Sequence, residues 1–305
     1  MAGRSQAMPA RAAVEARLRG GGGDPRGMVL QAFLLLSLLI ALGVLLVLLA
    51  DIIGKSGAAF AERGSGVLTD PLSARAARAG MIQGIIGSLL LMAFVVLLAL
   101  PIGIGAAVYL EEYARDTAPT RFIRTNIRNL AGVPAIVYGL LGLAVFVTLL
   151  GLGRTLIAGG LTLAVLVLPI VVITTSEALR AVPNSIREAA LGVGATRWEM
   201  IRSHVLPYAA PGILTGTILS LGRAFGETAP LIMVGAVVGT FNGVDLGRML
   251  TGSYTSLPTI VYNWSKEPQD EFRALTAAAI VVLLAVILLV NATAIYLRNR
   301  YDRSW

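Results

Sequence analysis

An arginine and a glutamate stand four residues apart in a stretch of otherwise small or apolar residues: Arg223 and Glu227, within G-R-A-F-G-E-T-A-P-L from Gly222 to Leu231. Residues four apart on a helix share a face, so the spacing predicts a guanidinium beside a carboxylate at membrane depth. Placing an arginine there costs roughly 2.5–3.5 kcal/mol on insertion scales. A charge kept at that cost faces a partner or a water-filled path. A guanidinium stays ionised and forks two hydrogen bonds onto an oxyanion. The chemistry predicted is therefore passage of a polar, anionic solute; the competing reading is an ion pair that only fixes helix packing.

Such a pair must be held by membrane spans, and the composition supplies them. The 305 residues are 56% hydrophobic and 14% charged, against about 25% charged in soluble domains. Six apolar stretches are long enough to cross a bilayer: Val29–Ala50, Met81–Tyr109, Leu130–Leu152, Thr155–Ser176, Gly212–Thr240 and Leu275–Leu297. Val29–Ala50 is too long for a cleaved leader, so it is expected to remain as the first span. The fold class expected is an all-α polytopic membrane protein. Pro101, Pro169 and Pro230 are expected to kink their helices unless neighbours satisfy the freed carbonyls. Glycines at four-residue spacing, such as Gly212 and Gly216, predict close helix approach.

Charge sets the orientation. With the N-terminus inside, the inner segments hold 16 of the 25 Lys and Arg and the outer ones 8, Arg223 being the last. This bias predicts both termini in the cytoplasm, although Arg75 and Arg78 run against it. It also explains the net charge of +8 without nucleic acid. The organisation expected is a basic tail over 1–27, the first span and an outer loop over 28–80, a core over 81–297, and an inner tail over 298–305. Pro258, Tyr262 and Trp264 in the outer segment 241–274 suggest a short interfacial helix, with Trp264 at headgroup level.

The inner loop 183–211 is polar yet helically periodic. Pro183, Asn184 and Ser185 form a helix start, and Ile186, Ala189, Ala190 and Val193 fall on one face. Gly192 and Gly194 supply a break. A second short helix is expected over 196–205, with Trp198, Ile201 and Val205 on one stripe, closed by Pro207 and Pro211. Two short helices around a glycine turn make a knob that either lies on lipid headgroups or fits a groove on a soluble partner.

Within that knob, Glu188-Ala189-Ala190, then Gly194, then Leu206-Pro207 resemble the EAA signature of ABC importer permeases. The resemblance covers most of 81–297 and implies a type I (MetI-like) permease core. It is closest in character to the phosphate (PstA-type) permeases, through L-P-I-G-I-G-A-A-V-Y-L-E-E-Y (100–113), V-P-A-I-V-Y-G-L (133–140), G-R-A-F-G-E-T-A-P-L (222–231) and L-P-T-I-V-Y-N-W (257–264). In that family the loop docks on the ATP-hydrolysing subunit. The resemblance thereby implies coupling roles for Arg187, Glu188, Ala189, Ala190, Gly194, Trp198, Leu206 and Pro207. It further implies a homologous PstC-type permease, an ATPase dimer that binds ATP and Mg, a periplasmic phosphate-binding protein, and a location in the bacterial inner membrane. Some relatives carry an arginine where this chain has Ile173, so an anion path here must use other donors.

On this reading Arg223 and Glu227 line the substrate path. Glu227 offsets the burial of Arg223 while no anion is present, and it can accept a hydrogen bond from a phosphate hydroxyl. Sulfate at neutral pH has no such hydroxyl, which predicts discrimination against it. Permeases for molybdate or sulfate remain alternatives. A membrane enzyme is disfavoured by zero cysteines, a single histidine, His204, and no G-x-x-x-x-G-K-[ST] loop. These features predict no catalytic residue, no metal site and no cofactor in this chain. A partnerless channel would need no ATPase at the loop.

Overall fold

The computed structural model describes residues 25–237 and 246–301. The tail before residue 25, the end of the expected fifth span at 238–240 and the residues after 301 lie outside the described ones. The chain divides into two units, Met1–Asp51 and Ile52–Trp305.

Helix α1 spans Pro25–Arg63 and begins in the first unit. It runs 13 residues past the expected end at Ala50. Its most apolar window is entirely unburied, as suits a helix that is apolar all round and meets lipid.

In the second unit, after short helical turns at Gly66–Thr69 and Ala76–Arg78, the helices are α2 (Ile82–Tyr113), α3 (Ala118–Ala131), α4 (Ala135–Leu149) and α5 (Leu156–Arg180). They continue with α6 (Asn184–Gly192), α7 (Arg197–Gly226), α8 (Ala229–Met233), α9 (Leu246–Thr251), α10 (Leu257–Trp264) and α11 (Asp270–Tyr301). Helix α5 is central, packing on α2, α4 and α7. Two thirds of its apolar window is buried, against a third for α2. Small residues bring α7 onto it: a methyl group at Gly216 would lie 2.5 Å from Thr174.

Three expectations need correction. The third span, expected over Leu130–Leu152, begins in the last turn of α3, bends by 102° and continues as α4. The corner is Gly132-Val133-Pro134; proline disfavours helical geometry at the residue before it, and Pro134 itself is extended (ψ 137°). The Tyr138 hydroxyl pins the corner by donating to the Leu130 carbonyl at 2.9 Å. The fifth span, drawn as Gly212–Thr240, ends at Gly226. It also starts earlier, because Pro207 and Pro211 do not close the preceding short helix, which runs on into α7. Trp264, placed at headgroup level, is 2% exposed and packs on Phe272 at 5.8 Å. It shares the inward stripe of α10 with Leu257 and Ile260, in one core with Val67, Leu72 and Met81.

The prolines act as expected only in part. Helix α5 stays one element through Pro169. Pro101 and Pro207 are each preceded by a widened π turn, Val95–Ala99 and Ile201–Val205. A proline cannot donate to the carbonyl four residues back, and an i→i+5 turn is one way for a helix to absorb that loss.

Candidate functional site

Arg223 lies in the last turn of α7 and Glu227 just beyond it. The expected shared helical face is therefore half right: the helix stops at Gly226, and Glu227 is extended (φ −75°, ψ 118°). The two side chains still meet, with Arg223 Nε donating to Glu227 Oε1 at 3.3 Å. The Arg223 side chain is 50% exposed and that of Glu227 16%. Part of the guanidinium thus remains free to meet a ligand while the carboxylate is sheltered. Beyond the break, α8 packs against α4, where Pro230 closes on Gly139. Backbone bonding from Val237 to Tyr254 at 3.0 Å then ties the returning chain down. Burial pushes the Tyr254 phenol up from its ordinary value, which keeps it a donor toward the Leu231 carbonyl at 3.4 Å.

The 183–211 segment folds as a helical corner. Thr196 and Glu199 form a reciprocal capping box at the start of α7, and Gly194 turns the chain at φ +90°, a conformation open chiefly to glycine. The residues assigned to coupling then separate into two sets. Ala190 is buried against Met200, Ile201 and Val205, with Leu206 packed on the same cluster. Arg187 is also turned inward. Its guanidinium bonds Glu112 Oε1 at 2.7 Å, the Val182 carbonyl at 2.8 Å and the Leu179 carbonyl at 2.9 Å. Glu188, Ala189, Gly194, Trp198 and Pro207 face outward. Val193, expected on one face with Ala190, is 86% exposed, and Trp198, expected on one stripe with Ile201 and Val205, is 55% exposed, whereas Ala190, Ile201 and Val205 are buried. Both fall on the outer side because the stripe facing α2 and α5 is already filled by Ala190, Met200, Ile201 and Val205.

Sequence reasoning assigned no role to the acidic pair at the end of α2. Glu111 is gripped by a fork from Arg180, both bonds at 2.9 Å, with Arg124 at 3.6 Å. Its neighbour Glu112, 5% exposed, holds Arg187. Arg197 lies over the Tyr113 ring at 5.2 Å. Together these contacts tie α2, α3, α5 and the 183–211 corner into one charged lattice. The one available signal was two adjacent acids ending an apolar span.

Residues 99–303 match the family described as binding-protein-dependent transport system inner membrane component. Among known proteins, the chain is 41% identical over 165 residues to the probable ABC transporter permease protein YqgI of Bacillus subtilis (strain 168), covering 54% of this chain and 56% of that one. It is 35% identical over 214 residues to the phosphate transport system permease protein PstA of Pasteurella multocida (strain Pm70), covering 70% and 74%. It is 33% identical over 229 residues to PstA of Xylella fastidiosa (strain Temecula1 / ATCC 700964), covering 74% and 78%. In fold it is similar to the MetNI methionine ABC transporter in an inward-facing conformation (TM-score 0.59, 18% identity, 73% of this chain and 96% of that one). It is similar as well to a bacterial alginate ABC transporter in complex with a periplasmic protein (TM-score 0.64, 17% identity, 92% and 97%). A bundle that is all-helical among the described residues, an EAA corner at one end and a family match over 99–303 lead to one statement: the chain belongs to the binding-protein-dependent transport system inner membrane components, the family of ABC transporter permease subunits.

Proposed function

We propose that this chain forms half of the translocation path of an ATP-driven importer of inorganic phosphate. It is a multi-pass inner-membrane transport subunit and not an enzyme; ATP hydrolysis belongs to a separate subunit. The observation that carries the substrate reading is the half-exposed Arg223 beside the sheltered Glu227 at a helix break. Similarity to PstA proteins over most of the chain supports it. A guanidinium at such a break can fork onto a phosphate, while Glu227 receives the phosphate hydroxyl.

In the assembly proposed, a homologous PstC-type permease supplies the other half of the path and a periplasmic phosphate-binding protein delivers the anion. One subunit of an ATPase dimer, which holds ATP and Mg, docks on the 183–211 corner, and that corner and both termini face the cytoplasm. Glu188, Ala189, Gly194, Trp198 and Pro207 meet the ATPase. Arg187, Ala190 and Leu206 instead join that corner to the spans of their own chain. Closure of the ATPase pair would push the corner, and the Arg187–Glu112 link would carry the push into α2. The core of this permease is taken as 81–297, with tails 1–27 and 298–305.

Arg223→Gln tests the reading in cells lacking other phosphate uptake. The complex should assemble at normal level and lose labelled phosphate uptake by tenfold or more, since a charged hydrogen bond contributes about 1.5–3 kcal/mol. Unchanged uptake removes Arg223 from the path. Competition by unlabelled molybdate or sulfate, equal to that by phosphate, would move the assignment to another oxyanion.

A further inference from the structure

At the end of the molecule that carries the 183–211 corner, a cavity of about 60 Å³ opens between α2, α3 and α5. One water needs about 10–15 Å³ of such space, so a tetrahedral oxyanion fits. Three guanidiniums line it, those of Arg124, Arg128 and Arg180, together with two carboxylates, Glu111 and Glu177. Charge therefore favours an anion by one unit.

The hydrogen bonds sharpen that balance. Arg180 Nε and Nη2 and both Glu111 oxygens are consumed in their mutual fork. Arg124 gives Nη2 to the Leu110 carbonyl and holds Nη1 near Glu111. Its Nε is buried without any hydrogen-bond partner. Arg128 has no carboxylate partner among the described residues. A guanidinium without a counter-charge, beside a cavity lined by two more, is an arrangement that an acceptor with negative charge completes.

Helix α3 says where that acceptor comes from. Arg121, Arg124 and Arg128 form one stripe, while Phe122, Ile123 and Leu130 lie exposed around the other side. The helix turns 102° away from α4 and buries none of its residues. An amphipathic helix of this kind lies in the headgroup layer, and basic pockets between spans hold anionic headgroups. We infer that the cavity between Arg124, Arg128 and Arg180 binds a phosphate group, which is either the phosphodiester of an anionic lipid or inorganic phosphate. This site is separate from Arg223 and does not depend on what the permease carries.

The test uses the full chain purified with its partner subunits in phosphatidylcholine nanodiscs, in an Arg223→Gln background that disables the proposed path. One arm titrates phosphatidylglycerol and counts retained lipid by native mass spectrometry. The other titrates inorganic phosphate and follows the melting temperature. Arg128→Gln should lower apparent affinity about tenfold in the lipid arm if a headgroup is the occupant, or in the phosphate arm if the free ion is. Arg124→Gln should do the same, but it also removes the bond to Leu110 and can unfold the corner, so Arg128→Gln decides. Equal affinity in Arg128→Gln and its parent, in both arms, overturns the site.

Discussion

At the scale of single residues, two charged pairs of this chain, Arg223–Glu227 and Arg187–Glu112, do opposite things with the same chemistry. Arg223 and Glu227 touch at 3.3 Å but leave half the arginine open. Arg187 and Glu112 touch at 2.7 Å, with the carboxylate 5% exposed. The first pair can open to a ligand; the second is a fastener. Glu227→Gln keeps the shape and loses the acceptor for a phosphate hydroxyl. It should raise sulfate transport relative to phosphate, read as the ratio of the two labelled uptakes, and an unchanged ratio ends the idea that Glu227 selects. Glu112→Gln leaves the sheltered Arg187 guanidinium bonded to two carbonyls but without its counter-charge and should destabilise the corner by about 1–3 kcal/mol. A lower melting temperature and faster proteolysis within 183–211 would report it. The first pair was legible in the sequence because charges are rare in apolar stretches. The second was not: its partners lie 75 residues apart, and no periodicity links them.

At the scale of elements, the apolar runs give away the helices but not where they break. Five candidate spans are single long helices, and the sixth is the bent pair α3–α4. The bend was hidden because Leu130–Leu152 is apolar throughout, while the amphipathic α3 just before it reads as loop. Likewise the run past Gly226 stays apolar although the backbone leaves the helix there. The sequence predicts a stop at Pro207, yet this proline sits inside a continuing helix after a π turn. That turn carries one residue more than an α turn and so shifts the face of what precedes it by about 100°. Pro207→Ala permits Ile201–Val205 to tighten into α geometry. The complex should then assemble but hydrolyse ATP with several-fold less uptake per turnover, measured as the ratio of ATPase rate to transport in proteoliposomes. A normal ratio would mean that the π turn is indifferent to coupling.

At the scale of the whole molecule, the fold class was readable from composition and the long apolar stretches, and the family from four short stretches and the EAA spacing. What could not be read was which side of the 183–211 corner faces out. Val193 and Trp198 are exposed, and on the proposed function they offer the ATPase an apolar contact. Trp198→Ala with Val193→Asp should leave membrane insertion intact and cut co-purification of the ATPase subunit at least tenfold; full recovery of that subunit would place the docking surface elsewhere. The grip of Arg187 has a mechanical consequence. It bonds a carboxylate on α2 and two carbonyls at and beyond the end of α5 at once, and such bonds tolerate only about 0.5 Å of stretch before they weaken. A linkage with so little slack behaves as a rigid crank: any stroke longer than that must either swing both helices in step or snap the joint, leaving no halfway posture in which the knob has moved and the channel walls have not.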